Sequence, residues 1–171
     1  THQLNVSEHT VSRWQREAIS RLAHILFEQE MALRQTHIQK IEALLPPPTY
    51  SQLFGVAETA DHLRRQILAP QSPWVIALVG MGGIGKTALA NYVARQIIRD
   101  FRFEDVVWLH VSSQTMNNRS TSSHSAFENV IADLGQHFWP ESDATIPTPQ
   151  RLIQVRQRLK SRPFLIIIDN L

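Results

Sequence analysis

The sequence predicts an α/β fold in which helices pack against a parallel sheet, with an α-helical segment ahead of it. Three observations carry this. The stretches "WVIALVG" (74–80), "DVVWLHVS" (105–112) and "PFLIIIDN" (163–170) are nearly continuous apolar runs of strand length, the pattern of strands covered on both faces. Helical periods separate them, and strands alternating with helices pair in parallel through crossovers. Residues 7–44, by contrast, carry only a helical period.

Taken in order, Val11, Trp14, Ala18, Leu22, Ile25, Phe27, Leu33, Ile38, Ile41 and Leu44 fall mostly three, four or seven apart, with Ser7 as the expected N-cap. "LLPPPTY" ends this run, because consecutive prolines cannot donate and push their predecessors out of helical geometry. The expected organisation is therefore a helical segment (1–45), a stiff Pro-rich linker (46–52) and an α/β domain (53–171). "ETADHLRRQIL" (58–68) reads as a helix with Ala60, Leu63, Ile67 and Leu68 inward, closed by "APQSP". A helix is expected from about Lys86 to Arg99, after the first apolar run. The polar "SSQTMNNRSTSSHS" (112–125) reads as a loop, and "AFENVIADLGQHF" (126–138) and "PQRLIQVRQRLK" (149–160) as helices. The tryptophans Trp74, Trp108 and Trp139 are expected to serve core and edge packing.

Composition narrows the function. A chain of 171 residues holds one α/β core with an appendage, and 43% apolar against 19% charged residues describes a chain that packs that core. The formal charge of +2 provides no nucleic-acid footprint by itself. The absence of cysteine excludes disulfides and thiolate metal sites and suits a reducing cytoplasm. No run approaches the ~18 apolar residues of a membrane span, and "THQLNVSEHT" lacks the basic and apolar regions of a secretory leader. A cytoplasmic protein without membrane contact is expected. Beginning at Thr1 and stopping at "IIIDNL", the chain reads as a piece of something longer.

Gly80-Met81-Gly82-Gly83-Ile84-Gly85-Lys86-Thr87 fits the phosphate-loop pattern G-x-x-x-x-G-K-[ST] at every defined position. Glycines let backbone amides curl around phosphate oxygens, and the helix starting at Lys86 adds the positive end of its dipole. The expected nucleotide contacts are Gly82, Gly83, Ile84, Gly85, Lys86, Thr87 and Ala88. The Lys86 ammonium suits the β- and γ-phosphates, and the Thr87 hydroxyl suits Mg²⁺. The alternative, a structural glycine turn with an accidental Lys-Thr, is disfavoured by the strand before it and the helix after it. The second half of such a site is an acid at the tip of a buried strand, and "FLIIIDN" supplies Asp169, a Walker B carboxylate for the magnesium. The competing role of Asp169 is capping the turn that follows. Lys86 and Asp169 are the expected catalytic pair. Many such ATPases place a carboxylate directly after the Walker B Asp; here Asn170 stands there, so these residues support binding of ATP or ADP more strongly than turnover.

These residues resemble the NB-ARC group of STAND signal-transduction ATPases. "GMGGIGKTALA" is similar to that family's phosphate loop beyond the generic pattern, "FEDVVWLHVS" to its next strand motif and "FLIIIDNL" to its Walker B strand. The likeness covers roughly residues 53–171 and implies a P-loop NTPase three-layer sandwich. "LFGVAETADHLRRQIL" looks like the family's leading segment, whose turn lies over adenine; Val56 stands where arginine is usual, so only Leu53, Phe54 and Gly55 carry that role over. Membership implies a regulatory switch, closed with ADP and opened by ATP into a self-associating form. It also implies a sensor strand between the phosphate-loop strand and the Walker B strand, which residues 1–171 do not supply, so low stability of this piece alone is expected.

"LNVSEHTVSRWQREAISRLAHILFEQE" resembles the second half of a sigma-type helix-turn-helix, with Ser7, His9, Thr10, Arg13 and Arg16 toward DNA and Val6, Val11, Trp14 and Ile19 in a core. DNA contact would then run through residues 7–21. The competing reading is an amphipathic helical hairpin that docks on protein. For the whole chain, the alternatives to a nucleotide switch are a DNA-binding regulator and a small P-loop metabolite kinase.

Overall fold

The computed structural model describes residues 8–111, 123–141 and 146–170. Five α-helices and two strands follow in the order α1 (Glu8–Leu44), α2 (Ala57–Leu68), α3 (Lys86–Ile97), β1 (Asp105–His110), α4 (Ser123–Phe138), α5 (Thr148–Ser161) and β2 (Phe164–Asp169). The chain divides into two compact units, Thr1–Lys40 and Ile41–Leu171.

In the first unit the described residues are one unbroken helix, the greater part of α1. Its surface pairs Arg21 with Glu17 and Arg34 with Glu30, both at 2.6 Å and four residues apart, the spacing that brings side chains together on a helix. One unbroken helix stands in place of the helical hairpin of the competing reading. Val11, Trp14 and Ile19, assigned to a core by the helix-turn-helix likeness, are exposed instead, because a single helix has no second element to bury them. Ser7 and its cap lie outside the described residues.

In the second unit β1 and β2 pair in parallel, from Asp105 opposite Phe164 to His110 opposite Asp169. The pairing continues at both ends through Glu104 N–H to Pro163 O (2.8 Å) and Val111 N–H to Asp169 O (3.0 Å). Helices cover both faces of this sheet. Val107 and Leu109 pack with Ile131 and Leu134 of α4 and Val155 of α5, and Ile166 joins them. Leu165, the next residue along β2, belongs to the other face, where Ala60 and Leu63 of α2 meet Val93 and Ile97 of α3. The alternation of Leu165 and Ile166 is the two-residue period of a strand with helices packed on both faces, each side chain partly buried. Charged pairs fasten the periphery: Arg64 holds Asp100 with two hydrogen bonds, at 2.6 and 3.1 Å, and Glu104 takes both Arg158 and Arg162.

One expectation changes here. Residues 74–80 form no strand: the sheet of the described residues has two strands, not three. Ile76 and Leu78 pack on the α2–α3 cluster, while Val79 is 92% exposed and Trp74 wholly so. Extended backbone becomes a strand only where a neighbour satisfies its N–H and C=O groups, and among the described residues none lies alongside. Trp74 is accordingly not a packing residue. The "PPPTY" stretch is tied to α3 by hydrogen bonds. The buried Asn91 of α3 donates to Pro46 O (2.9 Å), and Arg95 donates to Pro46 O and to Asn91 Oδ1, each at 2.9 Å. Tyr50 completes the cluster with its hydroxyl on Asn91 Oδ1 (3.4 Å), its pKa raised by burial, which the Arg95 charge opposes. The polar stretch 112–125 lies largely outside the described residues, and its last three residues, Ser123 to Ser125, already belong to α4.

Candidate phosphate and metal site

The glycine loop runs from Gly80 to Gly85 on the surface, at the amino end of α3. Gly83 (φ 76°) and Gly85 (φ 95°) adopt left-handed backbone that strains any residue with a Cβ, although no neighbouring atom lies within 4 Å of where that Cβ would be. Glycine is thus demanded by conformation, and the open space beside it is what a close backbone approach to an anion needs. Gly85 occupies the N-cap of α3, its carbonyl taken by Leu89 N–H (2.8 Å), and it has no side chain to cap the first turn. The leading amides of Lys86, Thr87 and Ala88 therefore face the loop, at the positive end of the helix dipole. Lys86 Nζ donates to the carbonyls of Gly80 and Met81, each at 2.9 Å, so its charge lies across the start of the loop.

Thr87 and Asp169 are brought together. Although 82 residues apart in sequence, Thr87 Oγ1 donates to Asp169 Oδ1 at 2.9 Å. Two hard oxygen ligands side by side at the mouth of a glycine loop match the chemistry of Mg²⁺, which takes one or two protein oxygens and completes its shell with water and phosphate. The residues present fit both groups: the loop amides would hold a phosphate, and Thr87 and Asp169 would supply oxygen ligands to a magnesium ion. Leu53, Phe54 and Gly55 form the turn into α2; Gly55 has φ 68°, Leu53 is half-buried and Phe54 is 80% exposed.

The sequence reading passed over His110. Its Nδ1 lies 3.7 Å from Asp169 Oδ2, and its Nε2 is 3.2 Å from Asn170 Nδ2. Asn170 has φ 62°, a conformation that asparagine tolerates better than most residues. A signal existed: pairing "DVVWLH" with "FLIIID" in register sets the last residue of each run side by side.

Glycine loop, helix terminus and strand-end aspartate together define a phosphate-binding α/β module of P-loop type. The family is shown by comparison: residues 56–171, about two-thirds of the chain, match the NB-ARC domain, and the chain belongs to that family. It is 29% identical over 125 residues to an uncharacterized WD repeat-containing protein of Nostoc sp., covering 72% of this chain and 10% of that protein. It is 26% identical over 137 residues to disease resistance protein RPP8 of Arabidopsis thaliana, covering 80% of this chain and 14% of that protein. The chain thus spans a tenth to a seventh of the length of these relatives. No solved structure matches it. Among the described residues no helix is long and apolar enough to cross a membrane.

Proposed function

We propose that residues 53–171 are the ATP/ADP-binding part of a regulatory switch of the STAND type, within a longer cytoplasmic signalling protein. The observation that supports it best is the 2.9 Å hydrogen bond from Thr87 to Asp169, which joins the two halves of a magnesium-nucleotide site from opposite parts of the chain. The amides of Gly82, Gly83, Ile84, Gly85, Lys86, Thr87 and Ala88 hold phosphate oxygens. Lys86 turns its ammonium from the Gly80 and Met81 carbonyls to the β- and γ-phosphates, and Leu53, Phe54 and Gly55 lie over the base. Magnesium neutralises charge on the phosphates when bound; Thr87 and Asp169 are the residues that hold it. With Asn170 following Asp169, the site retains nucleotide more readily than it activates water. Binding state is then the output, and self-association of the longer protein follows ATP.

The test is ADP affinity of the native chain beside Lys86→Ala, by calorimetry in Mg²⁺. A charge-assisted contact to phosphate is worth about 1.5–3 kcal/mol, so a loss of about 10- to 100-fold is expected. Equal affinity of the two proteins overturns the phosphate-clamp role. The DNA-binding alternative through residues 7–21 gains nothing from α1, where Glu17 already neutralises Arg21 and Arg16 Nε donates to its own helix at Ser12 O. The kinase alternative has no supporting observation among the described residues.

A further inference from the structure

We infer that α1 is a self-association surface: its residues 11–33 pair with the same segment of a second copy of this chain, antiparallel about Leu22 and without nucleotide. The inference goes beyond the nucleotide reading and does not rest on it. Every residue from 11 to 36 is exposed, on a helix 37 residues long. Helices in proteins owe most of their stability to a packed apolar side, and among the described residues nothing covers this one. The apolar residues form a stripe: Val11, Trp14, Ala18, Leu22, Ile25 and Leu33 follow steps of three and four, with Gln29 the one polar member. Val11, Leu22 and Leu33 are eleven residues apart, about three turns, so the stripe stays on one side of a nearly straight helix.

Charge selects both the occupant and its direction. Residues 13–21 carry three arginines and one glutamate, net +2, whereas residues 23–31 carry Glu28 and Glu30 and no lysine or arginine, net −2 with His24 neutral. The midpoint of the stripe is Leu22. With Leu22 on a two-fold axis and the helices antiparallel, Val11 stands level with Leu33 and Ala18 with Leu26, and the basic segment of each copy runs along the acidic segment of the other. Gln29 stands level with Gln15, so the polar member of the stripe meets another amide. A parallel pair instead sets Arg13, Arg16 and Arg21 beside themselves, a juxtaposition that repels. The sequence therefore complements itself in one direction only. The Arg21–Glu17 and Arg34–Glu30 pairs within the helix lie in solvent, where such pairs are worth little, so they do not hold these side chains away from a second helix.

The chain has no cysteine, so introduced thiols report neighbours without background. Val11→Cys and Leu33→Cys chains, mixed and oxidised without nucleotide, are expected to give the mixed disulfide dimer in excess of either homodimer. Sedimentation of the native chain without nucleotide is expected to show a dimer at micromolar concentration. Leu22→Glu sets two carboxylates together on the axis and should raise the dissociation constant about 100-fold or more, with helical circular dichroism retained. Phe27→Glu, on the far side of the helix, is expected to stay within about threefold of native. Should Leu22→Glu fail to fold, the thiol pair still decides. Val11→Cys homodimers in place of the mixed species overturn the inference in favour of a parallel pair. A native chain that stays monomeric and forms no cross-link overturns it outright, and so does a dimer that needs ATP or that Phe27→Glu disrupts and Leu22→Glu does not. ADP affinity, on which the nucleotide reading stands, is unaffected by any of these outcomes.

Discussion

Two apolar runs of strand length, residues 74–80 and 164–169, meet different fates. Phe164–Asp169 is a strand with a parallel partner, and its successive residues Leu165 and Ile166 pack on opposite helical layers. Trp74–Gly80 joins no ladder among the described residues; Ile76 and Leu78 reach the α2–α3 cluster, while Val75 and Val79 face solvent. The difference is not propensity, because both runs are rich in residues that suit a strand, Val75, Ile76 and Val79 in one and Phe164 and Ile166 to Ile168 in the other. It lies in what is next to them. A ladder needs a neighbouring backbone, and burial on the second face needs a second layer; β2 has both from β1, α4 and α5.

Substitutions break this comparison at graded cost. Truncating the β1–α4–α5 core should be most severe. Leu134→Ala, at a buried position packed with Val107 and Val155, is expected to destabilise by about 2–5 kcal/mol, read as a lowered midpoint in urea unfolding with the slope retained. An intermediate effect is expected at Asn91, the buried polar side chain between α3 and Pro46. Asn91→Ala removes a donor from Pro46 O and an acceptor from Arg95 and Tyr50, and should cost about 1–3 kcal/mol in the same assay. Smallest is Val75→Thr on the solvent side of the unpaired run. That side chain is exposed, so a change within about 0.5 kcal/mol is expected. A cost comparable to that of Leu134→Ala would mean that Val75 is covered in solution and that the two runs are alike after all.

The phosphate loop shows the same division at the level of single residues. Gly83 and Gly85 are legible in sequence because a left-handed turn at a helix start demands glycine there, and Lys86 and Thr87 are legible by their offset from it. Asp169 is legible as the acid closing an apolar run. His110 was not, because nothing within "DVVWLH" marks its last residue; it matters only once β1 and β2 align and set it opposite Asp169. The amino-terminal helix marks a further limit. Its period gave the helix, but a period does not say whether the apolar side is covered, and Trp14 and Ile19, read as packing residues, are exposed.

Local chemistry determined what the sequence alone could decide: where helices begin and end, which residues face the phosphate turn, and which strand ends in a carboxylate. These depend on interactions among residues within a few positions, so their signals survive in a linear reading. Tertiary structure decided that residues 74–80 stay outside the ladder, that Pro46 and Tyr50 close on Asn91, and that His110 and Asn170 gather around Asp169. Each of these depends on a partner far along the chain, and a side chain's neighbours across such distances exist only after the backbone has brought them together.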